Sequence, residues 1–277
     1  GGYTLTIRPS NATMKTISGS PTTTNGLIRL NGADRVTIDG SFAGSGRYLT
    51  FSNDASTTAN VAVIQLISLG ANAGATDNTI KNSIIIGSSN STTSTFGIHV
   101  GGTSISTTGV GANNNNLTIQ NNVFERAFYG LYANGVLANM NQNVNITNNT
   151  FGSTVAGLEI GNRGIQIANS QNVLVESNTV YGFRNNSTTI QTTGIEFSAN
   201  VINSKISRNL IYDLFYTGTT NRAGQGISVS TVANAEVEIS NNVIHSMKGH
   251  GSATALNNSW GIMLMAGSKI NVYHNSI

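Results

Sequence analysis

Two sets of side chains in this 277-residue sequence recur about one repeat apart and carry groups able to hold a sugar. His99, Tyr132, Gln166 and Glu196 follow one another at 33, 34 and 30 residues, and Tyr181, Tyr212 and His245 at 31 and 33. A tyrosine ring offers an apolar face with a polar tip, while imidazole, amide and carboxylate groups hydrogen-bond hydroxyls. Both sets read as candidate ligand-binding columns for a polysaccharide or a cell-surface glycan. No catalytic residue stands out. Glycoside hydrolysis needs two carboxylates about 5 to 9.5 Å apart. Glu159 with Glu196, and Asp213 with Glu236 and Glu238, fall on nearby repeats, but no motif fixes either group on one face. Asp34 with Asp39, and Asp77 with Lys81, are thin sets for Ca²⁺, which takes about six to eight oxygen ligands. His245, His250 and His274 have neither zinc spacing nor an acidic neighbour, so no metal site is expected.

The elements that must position these columns are short and repeated. One motif runs Leu117-Thr-Ile-Gln-Asn-Asn-Val-Phe124, then Val144-Asn-Ile-Thr-Asn-Asn-Thr-Phe151, and returns through Ile270-Asn-Val-Tyr-His-Asn-Ser-Ile277. A second precedes it each time, as in Gly97-Ile-His-Val100, Gly164-Ile-Gln-Ile167 and Gly194-Ile-Glu-Phe197. A period of roughly 30–35 residues holding two or three alternating strands, with no 3.6-residue pattern, is the sequence form of a parallel β-helix of about eight coils. Stacked at about 4.8 Å, eight coils make a rod of about 38 Å.

Three inward rows follow: Ile28 to Ile262, Ile38 to Val272, and Phe42 to Ile277, each with one residue per coil. Asn122, Asn149, Asn178, Asn209, Asn242 and Asn275 form an asparagine ladder at a corner, with Ser41 and Ser83 in that column earlier. Asn tolerates the left-handed backbone of a sharp turn, and stacked amides hydrogen-bond from coil to coil. Period differences fall in polar insertions at 44–60, 87–95, 101–116, 184–193, 217–224 and 247–259, where a solenoid tends to carry function. The 101–116 stretch reads as a mobile loop.

Charged residues are 9% of the chain, so its polar surface must come from Asn, Thr, Ser and Gly. The 14 Lys and Arg are scattered without a basic run, which argues against nucleic acid as a partner despite a net charge of +3. With no cysteine, disulfides and thiolate metal sites are excluded. No stretch approaches the ~20 apolar residues of a membrane span. The chain opens in a strand at Tyr3–Ile7 and stops inside a repeat, so residues 1–277 read as a single domain cut from a longer chain with further domains.

The paired motifs resemble the right-handed parallel β-helix repeat of the pectate-lyase-like superfamily. The stretches Tyr3-Thr-Leu-Thr-Ile-Arg-Pro9, Leu30-Asn-Gly-Ala-Asp-Arg-Val-Thr-Ile-Asp-Gly40 and Ile67–Asn82 are similar to β-helix segments of very large secreted or cell-surface proteins of Bacteroidota. The resemblance implies an all-β, right-handed parallel β-helix solenoid at a bacterial surface or outside the cell. It also implies that the outward column of the Gly-Ile strands, from Arg29 through Met263, lines an exposed groove, as in the superfamily's lyases. The function expected first is a non-enzymatic stalk or adhesin module with weak glycan binding. The alternative is a polysaccharide lyase or glycoside hydrolase working in that groove, with Ca²⁺ as cofactor only in the lyase case. Tyr181, Tyr212 and His245, near Arg184, Asp213 and Lys248, are expected to stack on three successive coils.

Overall fold

In a computed structural model of the chain, which describes residues 2–92, 94–187 and 190–277, alternating residues form strands that pair with the next repeat rather than with their sequence neighbours. Thr93, Thr188 and Thr189, inside two of the expected insertions, lie outside the described residues. The result is a parallel β-solenoid of about eight coils built from three sheets. The first sheet runs from Leu5–Ile7 to Ile270–Tyr273, the second from Lys15–Gly19 to Val243–Lys248, and the third from Gly26–Asn31 to Trp260–Ala266. Every pairing between strands of these sheets is parallel, and like residues sit over like.

Burial explains the register. Ile64, Ile98, Leu131, Ile165, Ile195 and Ile227 pair in sequence on the third sheet and are fully buried. The row from Ile38 to Val272 pairs just as expected on the first sheet. A one-residue slip would turn either row outward, so the interior specifies the alignment. The third row needs one correction. Phe51, not Phe42, stacks with Ile85 on the second sheet and is fully buried, whereas Phe42 is 38% exposed. The insertion after Ser41 forms a hairpin-like bridge between Phe42 and Ser45 and delays the strand to Leu49–Asn53. Ser41 consequently leaves the ladder column: Leu49 pairs with Ser83, and Ser41 instead bonds Asp39 through its N–H and hydroxyl at 3.0 and 2.8 Å.

The asparagine ladder forms, by a different division of labour from the one expected. The left-handed corner residue is the one before each ladder Asn: Asn82, Asn121, Asn148, Ser177, Arg208, Asn241 and His274, at φ between 54° and 57°. The ladder Asn itself is buried and saturated. Asn178 Oδ1 accepts the Asn149 N–H at 2.9 Å and Asn149 Nδ2 at 3.0 Å, while its Nδ2 donates to Ile146 O at 2.8 Å and Asn209 Oδ1 at 3.0 Å. The same four bonds recur at Asn149, Asn209 and Asn242. Exposed ladders outside the two repeated motifs line the corners as well: Asn172 donates to Asn143, Asn143 to Asn116, and Asn116 to Asp77.

Candidate functional site

The column Gln65, His99, Tyr132, Gln166, Glu196, Ser228, Met263 is in register on the outer face of the third sheet. Its first half is not an exposed groove. His99 is fully buried and Tyr132 is 1% exposed, because the 101–116 insertion folds back across them. That loop is pinned rather than free. His99 Nε2 meets Ser106 O at 3.2 Å, Tyr132 Oη donates to Thr107 O at 2.6 Å, and Gln65 Nε2 donates to Thr103 O at 3.2 Å. Ile105 is buried beneath it in a satellite cluster with Phe96, Phe128, Tyr129 and Tyr132. The sequence pattern of Gly, Ser and Thr concealed one apolar anchor, Ile105, and a row of backbone acceptors.

Burial sets the chemistry of these two residues. Desolvation lowers the His99 pKa to about 4, against a weaker opposing effect of the Ser106 carbonyl, and pushes Tyr132 up to about 12. His99 is therefore neutral and stacks on Tyr132 at 5.3 Å. A base whose folded pKa lies below its unfolded value binds fewer protons when folded. Its stabilising effect is then complete above about pH 6.5 and drains away as pH falls towards about 4. We expect a loss of about 3 kcal/mol across that window, absent in His99→Gln. Denaturant unfolding of both proteins at pH 7 and pH 4 reads it, and parallel behaviour of the two would refute the assignment.

The second half of the column opens. A cleft of about 240 Å³ lies over the third sheet, lined by Arg163, Glu196, Gln225, Ser228, Met263 and the Leu256–Asn257 turn among others. Arg163 and Glu196 form an ion pair with side chains only 11% and 18% exposed, and Arg163 also donates to Asn162 Oδ1 at 2.7 Å and to Gln191 O. The turn at Ala255–Asn257 roofs the cleft. Gln191 and Arg222 each bond Asn257 Oδ1 at 2.7 Å, and Gln225 Nε2 bonds Leu256 O at 2.8 Å. Gln166, half-buried, lies between Tyr132 and Glu196 in the column. Arg163 was not recognised from sequence as a site residue. Its position one coil from Glu196, in a chain so poor in charge, was the available signal.

The second candidate set lies elsewhere, on the outer face of the second sheet. Tyr181 stacks on Tyr212 at 5.2 Å and 8°, and Tyr212 on His245 at 5.3 Å and 13°. The stack is partly exposed, with Arg184 tied to Asp213 at 2.8 Å and held 5.8 Å from the Phe215 ring centroid beside it. The two candidate columns are thus on different sheets and form two sites.

The remaining acids are dispersed. Among the described residues seven of the eleven carboxylates are in ion pairs, including Asp213 with Arg184, Glu236 with Lys269 and Glu238 with Lys205. Glu159 bonds Asn90 Nδ2 and the Gly157 N–H, away from Glu196 and its ion pair. Among the described residues no group of three or more His, Cys, Asp or Glu is placed to hold a metal ion, and no helix is long and apolar enough to cross a membrane.

No family model matches the sequence, and no curated protein matches it. Solved structures similar to the chain include a surface adhesin of Streptococcus pneumoniae, PfbA, at 14% identity and TM-score 0.43, covering 96% of this chain and 61% of that one. A GH136 lacto-N-biosidase from Eubacterium ramulus matches at 11% identity and TM-score 0.47, over 99% of this chain and 53% of that one. The A-module of the Azotobacter vinelandii mannuronan C-5 epimerase AlgE6 matches at 12% identity and TM-score 0.37, over 98% and 82%. The chain thus spans a little over half the length of the first two. Scores at this level carry nothing about activity, and the fold stands on the chain's own strand pairing.

Proposed function

We propose that this chain is a rigid, non-catalytic solenoid module that works outside a bacterial cell or on its surface and binds glycan in the Glu196 cleft. The observation that carries this reading is the largely buried Arg163–Glu196 pair beneath a preformed cleft with mixed polar and apolar lining. Arg163 spends Nε on Glu196 and Nη1 on Asn162 Oδ1 and Gln191 O, which holds the Glu196 carboxylate as an oriented acceptor for a sugar hydroxyl. Met263, Met265 and Leu256 supply apolar surface for its C–H face. Among the described residues Glu196 is the only carboxylate lining the cleft, so a two-carboxylate hydrolysis lacks its second member there. Stability of the frame suits a stalk or adhesin: the coils are joined by saturated ladders and continuous inward rows.

The test is retention on a panel of immobilised neutral and acidic polysaccharides, with reducing-end release measured alongside. Retention without release is expected, and Glu196→Gln should weaken it at least tenfold. Release of reducing ends that Glu196→Gln abolishes would replace this reading with the hydrolase or lyase alternative. Retention equal in wild type and Glu196→Gln would remove the cleft from the account.

A further inference from the structure

Residues 102–110 form a strap shaped like an Ω-loop, with its two ends in contact. A Cβ at Gly102 would lie 2.6 Å from Val110 O, and one at Gly111 only 2.1 Å from Gly101 O. This neck is tied to the solenoid. Gly101 O accepts the Ser68 N–H at 2.8 Å, and the Gly111 N–H donates to Asn134 O at 3.0 Å. The tip is held differently. Among the described residues no backbone-to-backbone hydrogen bond joins 103–108 to a strand, and the fastenings are the side chains of Gln65, His99 and Tyr132 together with buried Ile105.

His99 is the fastening that acid can undo. With Nε2–H spent on Ser106 O, Nδ1 carries the lone pair, and that atom is buried without a hydrogen-bond partner. A proton arriving there would set a cation among Phe96, Tyr132 and an uncharged strap, with no acceptor to receive it. The titratable groups on the elements packed against His99 are Tyr129 and Tyr132, whose pKa values burial raises, so both stay neutral in acid. The strand Val61–Ile67 and the strap contribute none.

We propose that residues 102–110 are an acid-opened lid, released by protonation of His99, and that its release uncovers the Tyr132 ring as a second sugar subsite beside the Glu196 cleft. The subsite rests on glycan binding in that cleft; the lid does not. Opening lets water reach both imidazole nitrogens, so the charged form regains its hydration. Ile105 must leave its apolar cluster, which keeps the lid shut while His99 is neutral. A gap of about 700 Å³ between the strap and the Ser68–Gly70 turn gives the tip room to move. The uncovered surface is aromatic, since Tyr132 stacks on His99 at 5.3 Å and lies 5.5 Å from Phe96. It offers a sugar an apolar face with a polar tip. It also adjoins the cleft: Ile190 packs on the same cluster, and Gln191 lines the cleft. Tyr132 and Glu196 stand two coils apart in one column, about 9.6 Å, so a sugar chain lying along the axis meets both.

The chain has no cysteine, so Ile105→Cys sets a single thiol beneath the lid. Its reaction with 4,4′-dithiodipyridine, relative to a free cysteine peptide at the same pH, reads the open fraction. With the His99 pKa at about 4 when covered and about 6.5 when free, lowering the pH from 7.5 to 5 should raise that fraction about 30-fold. Adding His99→Gln should abolish the rise. Val175→Cys, buried in an inward row, should stay protected at both pH values because the opening is local. An open fraction that does not change overturns the lid, as does a rise that survives His99→Gln or is matched by Val175→Cys. Retention of the wild type on immobilised polysaccharides tests the subsite without any cysteine variant. It should strengthen about threefold or more between pH 7.5 and pH 5, and His99→Gln should remove the gain. Equal retention at the two pH values overturns the subsite. Should no polysaccharide be retained at either pH, glycan binding falls together with the subsite, and the thiol reaction alone decides the lid.

Discussion

Asn178→Ala is expected to lower the unfolding free energy by about 3–5 kcal/mol, although it removes only a small polar side chain. Four hydrogen bonds disappear together, and the buried Asn149 N–H loses its acceptor. A net hydrogen bond is worth about 1 kcal/mol, but a buried orphan costs the full desolvation of that group, about 1–3 kcal/mol. Water cannot make good the loss, because Asn149, Asn178 and Asn209 are all 1% exposed. Asn178→Asp keeps the two accepted bonds, loses both donated ones, and sets a carboxylate against Ile146 O and Asn209 Oδ1. It should be as destabilising as alanine at neutral pH and recover part of the loss in acid, where the carboxyl regains one donor. Asn145→Ala on the outer face of the first sheet should change stability by less than about 0.5 kcal/mol. Denaturant midpoints of the three variants decide the matter. Equal small effects at 145 and 178 would mean that the ladder is a consequence of stacking and not a source of stability.

Phe151→Ala should cost about 3–5 kcal/mol by opening a cavity where the inward row is tightest. Phe124 and Phe151 stack at 4.3 Å and 10° with neither ring exposed. Gly130 closes the packing from the third sheet: a Cβ there would lie 2.6 Å from Phe151 Cδ1. Ring and glycine are fitted to each other, so the surrounding strands have little freedom to collapse into the gap. Phe151→Leu fills most of the space and should cost less than about 1.5 kcal/mol. A Phe151→Ala protein as stable as wild type would show that the rungs of the row are not coupled to the sheet around them.

The solenoid, its three sheets and nearly all of its inward rows were legible in the sequence. Like residues at one-coil spacing must stack on like, and a row of Ile or Val can be buried on only one alignment. Tyr181, Tyr212 and His245 could be placed on one another for the same reason. Failures began wherever the period was broken. Phe42 resembled a member of the third row until the insertion after Ser41 shifted the strand to Phe51. The corner conformation fell one residue earlier than the asparagine column suggested, because Arg208 and His274 adopt it as well as Asn.

Which columns meet solvent was decided only in three dimensions. His99 and Tyr132 occupy the expected positions, yet a polar loop anchored by Ile105 covers them. Glu196, on the same column, gains a cleft and a buried partner, Arg163. Stacking along the axis is periodic and local, so one repeat predicts the next. The packing of an insertion over a sheet is aperiodic and non-local, so it depends on contacts that no repeat announces.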